Sequence, residues 1–105
     1  MEIEEGSTNV YADLGRPDAV EMLIKAQLAT KIGEIIKRRR LTQIAAAKLV
    51  GMPQPKLSGL LRGQFRGVSE AKMLHCLTRL GRDVRIVVGP PRRHSAVGHI
   101  EVLSG

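Results

Sequence analysis

Three polar side chains recur at intervals of four residues near the middle of the chain: Gln54, Ser58 and Arg62. Residues four apart lie on the same face of an α-helix, so one surface would carry all three. A glutamine amide can pair with adenine N6 and N7, a guanidinium with guanine, and a serine hydroxyl with a base or a phosphate. The expected chemistry is hydrogen bonding to base edges in the major groove of a duplex, with Lys56 suited to a phosphate.

The alternative is an ordinary polar helix face, which is disfavoured because residues 41–69 contain no Asp or Glu. The residues predicted to face inward are Leu57, Leu60 and Leu61. The predicted outward set is Gln54, Pro55, Lys56, Ser58, Gly59 and Arg62. Gly59 costs about 1 kcal/mol relative to alanine in a helix interior. Close approach to the backbone of a ligand would explain this glycine, and so would simple tolerance.

The residues just before this helix predict another helix and a tight turn. A helix from about 43 to 50 has Thr42 as its N-cap and ends at Gly51, because glycine readily adopts the left-handed conformation found after helices. Ala47 is small enough to lie where two helices approach each other. The contact between the two helices requires apolar residues at fixed positions, and Val50, Met52, Leu57 and Leu60 occupy them. Together these features indicate a helix-turn-helix, in which two helices cross steeply through a short turn.

Two prolines lie at the start of the second helix, which is predicted from about 54 to 62 and stops at Gly63. Pro53 and Pro55 cost little stability there. Proline has no N–H to donate, but N–H groups in the first turn of a helix have no partner within the helix in any case. Pro53 nevertheless occupies the position where a Ser or Thr would normally cap the helix.

A long first helix is predicted to begin with Asp18 as its N-cap. Its apolar stripe recurs at spacings of three and four: Val20, Leu23, Ile24, Leu28, Ile32, Ile35 and Ile36. The helix ends in the basic run 37–40. These cations suit either the negative end of the helix dipole or contact with phosphates. Arg66, on the other flank of the motif, is a further candidate phosphate contact.

The last third of the chain predicts one more helix and a strand. Ser69 is the predicted N-cap of the helix, whose inward residues are Ala71, Leu74, Leu77 and Leu80. Residues 83–88 are rich in β-branched side chains and predict a strand. A lone strand leaves its backbone groups unpaired, so it must pair with residues 99–103 or with the same strand of a second copy. Pairing with a second copy is favoured, since it would create the two-fold symmetry that a palindromic site requires.

Residues 41–63, with the pattern L-T-Q-x-x-x-A-x-x-x-G-x-x-Q-P-x-x-S-x-x-x-R-G, resemble the Xre/Cro/CI-type helix-turn-helix domain. Residues 9–19 and 80–88 are similar to the HigA-type antitoxin subgroup. The resemblance implies a mainly α fold: a phage-repressor-like bundle of four to five helices with a short C-terminal strand. It also implies a homodimer on a palindromic operator in double-stranded DNA, a basic ribonuclease toxin as a further partner, and a DNA-backbone contact for Gln43. Pro53 departs from the Ser or Thr often found at its position.

Charge is divided unevenly along the 105 residues, which are enough for one domain. Residues 1–21 hold six acids and one base, a net charge of −5. The other residues hold sixteen bases and four acids, a net of +12, and the two parts give the total of +7. A basic body suits a polyanion such as nucleic acid. The acidic head suits a basic partner, or it is a plain disordered terminus.

Cys76 is the lone cysteine, so neither an internal disulfide nor a paired-cysteine metal site is expected. His75 and Cys76 are successive residues, which do not face each other on a helix. They are therefore expected to be a surface residue and an apolar filler. No cofactor, metal or enzymatic activity is expected. No apolar run approaches the roughly 20 residues of a membrane span, and no secretion signal precedes the domain, so the expected location is the cytoplasm.

The predicted organisation is a flexible acidic segment (1–16), a helix-turn-helix DNA-binding domain (17–82), and a C-terminal strand and tail serving dimerisation (83–105). The predicted function is that of a sequence-specific transcriptional repressor. Its sharper form is the antitoxin of a HigBA-type pair that represses its own operon. The alternative is a protein-interaction module that uses the same scaffold without DNA.

Overall fold

A computed structural model describes residues 17–94 and 97–104 of the chain, and the predicted acidic segment 1–16 lies outside these residues. The helices are α1 (Pro17–Arg38), α2 (Gln43–Val50), α3 (Gln54–Leu61) and α4 (Glu70–Arg79). Both α1 and α2 pack against α3 and α4. The mainly α architecture is thus confirmed, with four helices in the described ranges. None of these helices is long and apolar enough to cross a membrane.

The core is almost entirely aliphatic. The largest fully buried side chains are Ile32, Leu57, Leu60, Met73, Leu80, Val50 and Cys76. The predicted stripe of α1 faces this core through Ile24, Leu28, Ile32, Ile35 and Ile36, while Val20 and Leu23 are half-buried. The core therefore fixes the rotation of α1, and α3 is held by two leucines on its inward side.

The start of α1 differs from the prediction, whereas its end lies in the basic run 37–40 as predicted. The helix begins at Pro17, so Asp18 lies in its first turn and is not the N-cap, although its negative charge still suits that end. At the other end Arg40 adopts a left-handed conformation with φ of 55°. The amides of Arg40 and Leu41 donate to the carbonyls of Lys37 and Ile36, each at 3.0 Å. This is the geometry that usually carries glycine after a helix.

Replacement of Arg40 by glycine is therefore expected to stabilise the fold. A left-handed non-glycine residue costs about 1–2 kcal/mol, and the greater flexibility of glycine in the unfolded chain offsets part of that. We expect a net gain of about 0.5–1 kcal/mol in the free energy of unfolding, measured by urea denaturation. Lys37→Gly, inside the last turn of the helix, is the control and should destabilise. An equal loss of unfolding free energy in both variants would contradict the left-handed conformation of Arg40.

The turn between α2 and α3 follows the sequence prediction. The Thr42 hydroxyl accepts from the amide of Ala45 at 3.1 Å and caps α2. Gly51 ends the helix with φ of 71°, and the amides of Gly51 and Met52 both donate to the carbonyl of Ala47. Pro53 precedes α3 in an extended conformation without a side-chain cap. The two short helices thus meet through a turn that the backbone itself holds.

In α4, the predicted cap is confirmed and part of the predicted inward face is wrong. The Ser69 hydroxyl accepts from the amide of Lys72 at 3.0 Å. Ala71 is exposed, whereas Met73 and Cys76 are fully buried. Buried Met73, Cys76, Leu77 and Leu80 are spaced by three and four, and Ala71, two residues before Met73, falls on another face.

The predicted C-terminal strand does not form within the single chain. Residues 82–90 and 98–104 have no regular secondary structure, so 83–88 does not pair with 99–103. Val84 and Val102 pack against the core, and the Arg92 side chain contacts the His99 ring at 2.7 Å, but these are side-chain contacts and not a ladder. In the described part of this tail, six large apolar residues are exposed: Ile86, Val87, Val88, Val97, Ile100 and Leu103. A strand requires a partner backbone, which the folded part of this chain does not supply.

Candidate nucleic-acid interface

The outward side of α3 carries polar groups on a rigid support. Pro55, Lys56 and Arg62 are exposed, and Gln54 and Ser58 are half-buried. We call these five residues the α3 face. On the opposite side of the same helix Leu57 and Leu60 are fully buried, which holds the face outward. All five of these predicted binding residues are thus exposed or half-buried, and Gln54, Ser58 and Arg62, which are spaced by four, lie along one line of the helix.

Gln43 extends this surface from the start of α2. The side-chain nitrogen of Gln54 donates to Oε1 of Gln43 at 3.1 Å. The bond joins the first residue of α2 to the first residue of α3. It restricts the rotamers of both amides before any ligand arrives, so less conformational entropy is lost on binding.

Replacement of Gln43 by alanine is expected to weaken ligand binding more than it weakens the fold. The bond is exposed, so its loss leaves no buried unpaired group. The Gln54 amide would then be free to rotate, and we expect a loss of about 0.5–1.5 kcal/mol in binding free energy. Duplex titrations by fluorescence anisotropy would measure this loss. Lys48→Ala, an exposed change on α2, is the control, and an equal effect in both variants would contradict the role of the amide pair.

A second contact orders the other end of the α3 face. Arg62 donates through Nη1 to the hydroxyl of Ser58 at 2.6 Å. The guanidinium has five N–H donors, so this bond leaves the others available. Polar side chains at both ends of α3 are thus each hydrogen-bonded to a neighbouring side chain.

Gly59 does not lie on the exposed face, so that placement in the sequence prediction is wrong. Gly59 is buried, and a Cβ added there would lie 3.1 Å from Oε1 of Gln64. The Gly59 carbonyl also accepts from the amides of Arg62 and Gln64 at 3.0 and 2.8 Å. The close neighbour of Gly59 is therefore the protein's own Gln64 side chain, which is exposed and able to shift.

Several cations of the basic body have structural roles within the fold. On α4, Lys72 donates to the carbonyls of Val50 and Gly51 at 3.3 and 3.4 Å, and Arg79 donates to Leu49 at 3.0 Å. These bonds satisfy carbonyls at the end of α2 that lack helical partners. Sequence patterns did not indicate these roles, because the partners lie more than 20 residues away.

One cation of the basic run 37–40 also has a structural role. Arg39 donates to the carbonyl of Leu80 at 3.0 Å and so caps the end of α4. Arg66, by contrast, has a side chain that is 74% exposed, with Asp18 at 3.9 Å. Arg66 is thus accessible on the loop that follows α3, as its candidate role requires.

The pair His75–Cys76 is arranged as the sequence predicted. Cys76 is fully buried and His75 is exposed. Burial raises the pKa of the Cys76 thiol, partly offset by the positive charge of Lys72, so the nucleophilic thiolate is disfavoured. No cluster of metal-binding side chains occurs in the described ranges.

Comparison with known proteins places the chain in a family. Residues 10–89 match the family model of a helix-turn-helix domain. The chain belongs to this helix-turn-helix family. A solved structure described as a putative XRE-family transcriptional regulator is 37% identical and superposes with a TM-score of 0.79. The match covers 85% of this chain and all of that one. No curated protein is significantly similar to the chain.

One exposed apolar residue of α2 was not singled out by the sequence analysis. Ile44, next to Gln43 at the start of α2, is 64% exposed. The signal was present, since the buried residues of α2 are Ala46, Ala47 and Val50 and leave Ile44 outside the core pattern. Ile44 thus adds an exposed apolar side chain to α2, next to Gln43 in the chain.

Proposed function

We propose that this protein is a transcriptional regulator that binds double-stranded DNA in a sequence-specific way through α3. The observation that carries the proposal is the α3 face: amide, hydroxyl and guanidinium groups held outward by buried Leu57 and Leu60. Membership of the helix-turn-helix family and the likeness to an XRE-family regulator support it. A helix with this surface fits the major groove, where base edges present distinct donor and acceptor patterns.

The amide of Gln54 retains the two groups that adenine requires. One amide hydrogen is used by Gln43, so Oε1 and the second hydrogen remain for adenine N6 and N7. The Gln43 side-chain nitrogen is left to donate to the DNA backbone. Exposed Ile44 is the proposed apolar contact with a thymine methyl group.

At the other end of α3, Arg62 serves guanine. Ser58 engages only Nη1, and the remaining donors can pair with O6 and N7. Lys56 and Arg66 are the proposed phosphate contacts, with Pro55 in van der Waals contact at the start of the helix. Phosphate contacts position the protein, and the two paired base contacts provide the sequence preference.

Selection of binding sites from a random duplex pool tests this proposal, because the selection itself identifies the operator sequence. We expect a recurring motif, and anisotropy titrations should show at least about 10³-fold preference for it over shuffled DNA at physiological salt. Affinity should fall steeply with salt as counterions are released. Failure to enrich any motif, with affinity equal for all sequences, would contradict the proposal.

We propose in addition that the regulator acts as a homodimer through residues 83–88. Their β-branched side chains are exposed, and antiparallel pairing of two copies would cover Ile86, Val87 and Val88 while supplying partners for the backbone. Sedimentation equilibrium should show a dimer, and Val87→Asp should shift it to monomer. The selected motif should be a palindrome. A monomer at micromolar concentration would contradict this arrangement.

The sharper form of the proposal is an antitoxin that neutralises a basic ribonuclease and represses its own operon. The support is the sequence resemblance to the HigA-type subgroup and the six acids of residues 1–21, whose charge complements a basic partner. Expression of a small basic protein encoded beside this gene should arrest growth, and co-expression of this chain should restore it. Growth that is unaffected by the neighbour would contradict the antitoxin role.

A further inference from the structure

Lys25 is a buried charged residue in the core of the described chain. It is 3% exposed and lies on α1 between the buried residues Ile24 and Leu28. A buried ammonium group is costly unless it is paired and hydrogen-bonded. Lys25 has two such partners, Oε2 of Glu21 and the backbone carbonyl of Arg66, both at 3.0 Å.

The second partner lies on the loop that follows α3. Phe65 and Val68 are buried on either side of the loop's tip, and the amide of Val68 donates to the carbonyl of Phe65 at 3.0 Å. Arg66 and Gly67, between these two anchors, are exposed. Lys25 thus binds the backbone of Arg66 from inside while the guanidinium projects outward. Buried Phe65 and Val68, together with the hydrogen bond from Lys25, therefore hold the backbone of Arg66 in place.

The outer side of the loop meets α1 as well. Nη1 of Arg66 lies 3.9 Å from Oδ2 of Asp18, and both side chains are more than half exposed. In water such a pair is weak. It orients the guanidinium without preventing exchange for a stronger anion.

We propose that Lys25 is a positioning residue for DNA binding: it holds the 64–68 loop so that Arg66 meets a backbone phosphate beside α3. Asp18 pairs with Arg66 in the free protein, and the phosphate displaces it. This inference rests on the proposed DNA-binding function. It explains why α1 carries a lysine among its buried residues, where an apolar side chain of similar volume would give packing without a bond to the loop.

The test is the salt dependence of binding to the selected operator for Lys25→Met, Arg66→Gln and the double variant. Loss of one phosphate contact reduces the slope of log affinity against log salt by about 1. We expect this reduction in each single variant and no further reduction in the double variant. The ratio of affinities for operator and mutated operator should stay unchanged. Lys31→Met, on the same helix, should keep the wild-type slope.

A wild-type slope in Lys25→Met, or additive losses in the double variant, would overturn the proposal. A purely structural role for Lys25 would lower the fraction of active protein, as found by stoichiometric titration, and leave the slope intact. If the wild-type protein shows no preference for any DNA sequence, it is the proposed function that fails. The two failures are therefore distinguishable.

Asp18→Asn provides a second test, since the change is at the surface and leaves Lys25 intact. Removal of the competing carboxylate should strengthen binding at low salt by about twofold, and the gain should vanish in the Arg66→Gln background. Glu34→Gln removes an acid elsewhere on α1 and controls for net charge. Equal gains in the Asp18 and Glu34 variants would contradict the role of Arg66.

Discussion

Replacing Gln54, Ser58 and Arg62 together by alanine is expected to abolish sequence-specific DNA binding while the fold remains intact. Each good paired base contact contributes about 1–3 kcal/mol of discrimination, and this variant removes two of them. The three side chains are exposed or half-buried, so their removal opens no core cavity. Anisotropy titrations with the selected operator and a shuffled duplex would measure the loss, and circular dichroism would verify the helices.

The matched control is the double change of His75 and Thr78 to alanine, which removes exposed polar side chains from α4. Its DNA affinity should equal that of the wild type. Unchanged specific binding in the α3 variant would show that the α3 face does not contact bases. If the protein's biological activity also survived in that variant, the alternative function, a protein-interaction module without DNA, would be favoured.

Leu57→Ala is expected to produce the largest loss of stability. Leu57 is fully buried on the inward side of α3. Truncation of a buried leucine removes transfer free energy and leaves a cavity, at a cost of about 2–5 kcal/mol. Folded domains have a total stability of about 5–15 kcal/mol, so this single change removes a large share. Urea denaturation monitored by circular dichroism would measure it.

Leu61→Ala is the control for this change, because Leu61 lies on the same helix and is only half-buried. It should cost clearly less. The folded fraction of Leu57→Ala should still prefer the selected operator, since the polar face of α3 is unchanged. A loss below about 1 kcal/mol for Leu57→Ala would contradict the packing of α3 described here.

Local features of the sequence were sufficient to predict the helix-turn-helix. Thr42 and Ser69 cap helices through amides three residues away, and Gly51 ends α2 by its own backbone conformation. The spacing of Leu57 and Leu60 fixes which side of α3 faces outward. Interactions of this kind lie within one or two helical turns, so sequence patterns reveal them.

Features that depend on distant partners could not be predicted in this way. The bond of Lys25 to the Arg66 loop spans 41 residues, and so does the bond of Arg39 to Leu80. The buried position of Gly59 depends on how the loop at Gln64 folds back. Residues 83–88 form no strand within the single chain for the same reason, because β-propensity does not supply a partner backbone.

Contact between the α3 face and base edges is the central claim. The most direct measurement is an NMR titration of isotope-labelled protein with the selected duplex. We expect the largest chemical-shift changes at the side-chain amide of Gln54, the guanidinium of Arg62 and the backbone of α3. Changes confined to α4 or to the C-terminal tail, with the resonances of α3 unmoved at saturation, would contradict the claim.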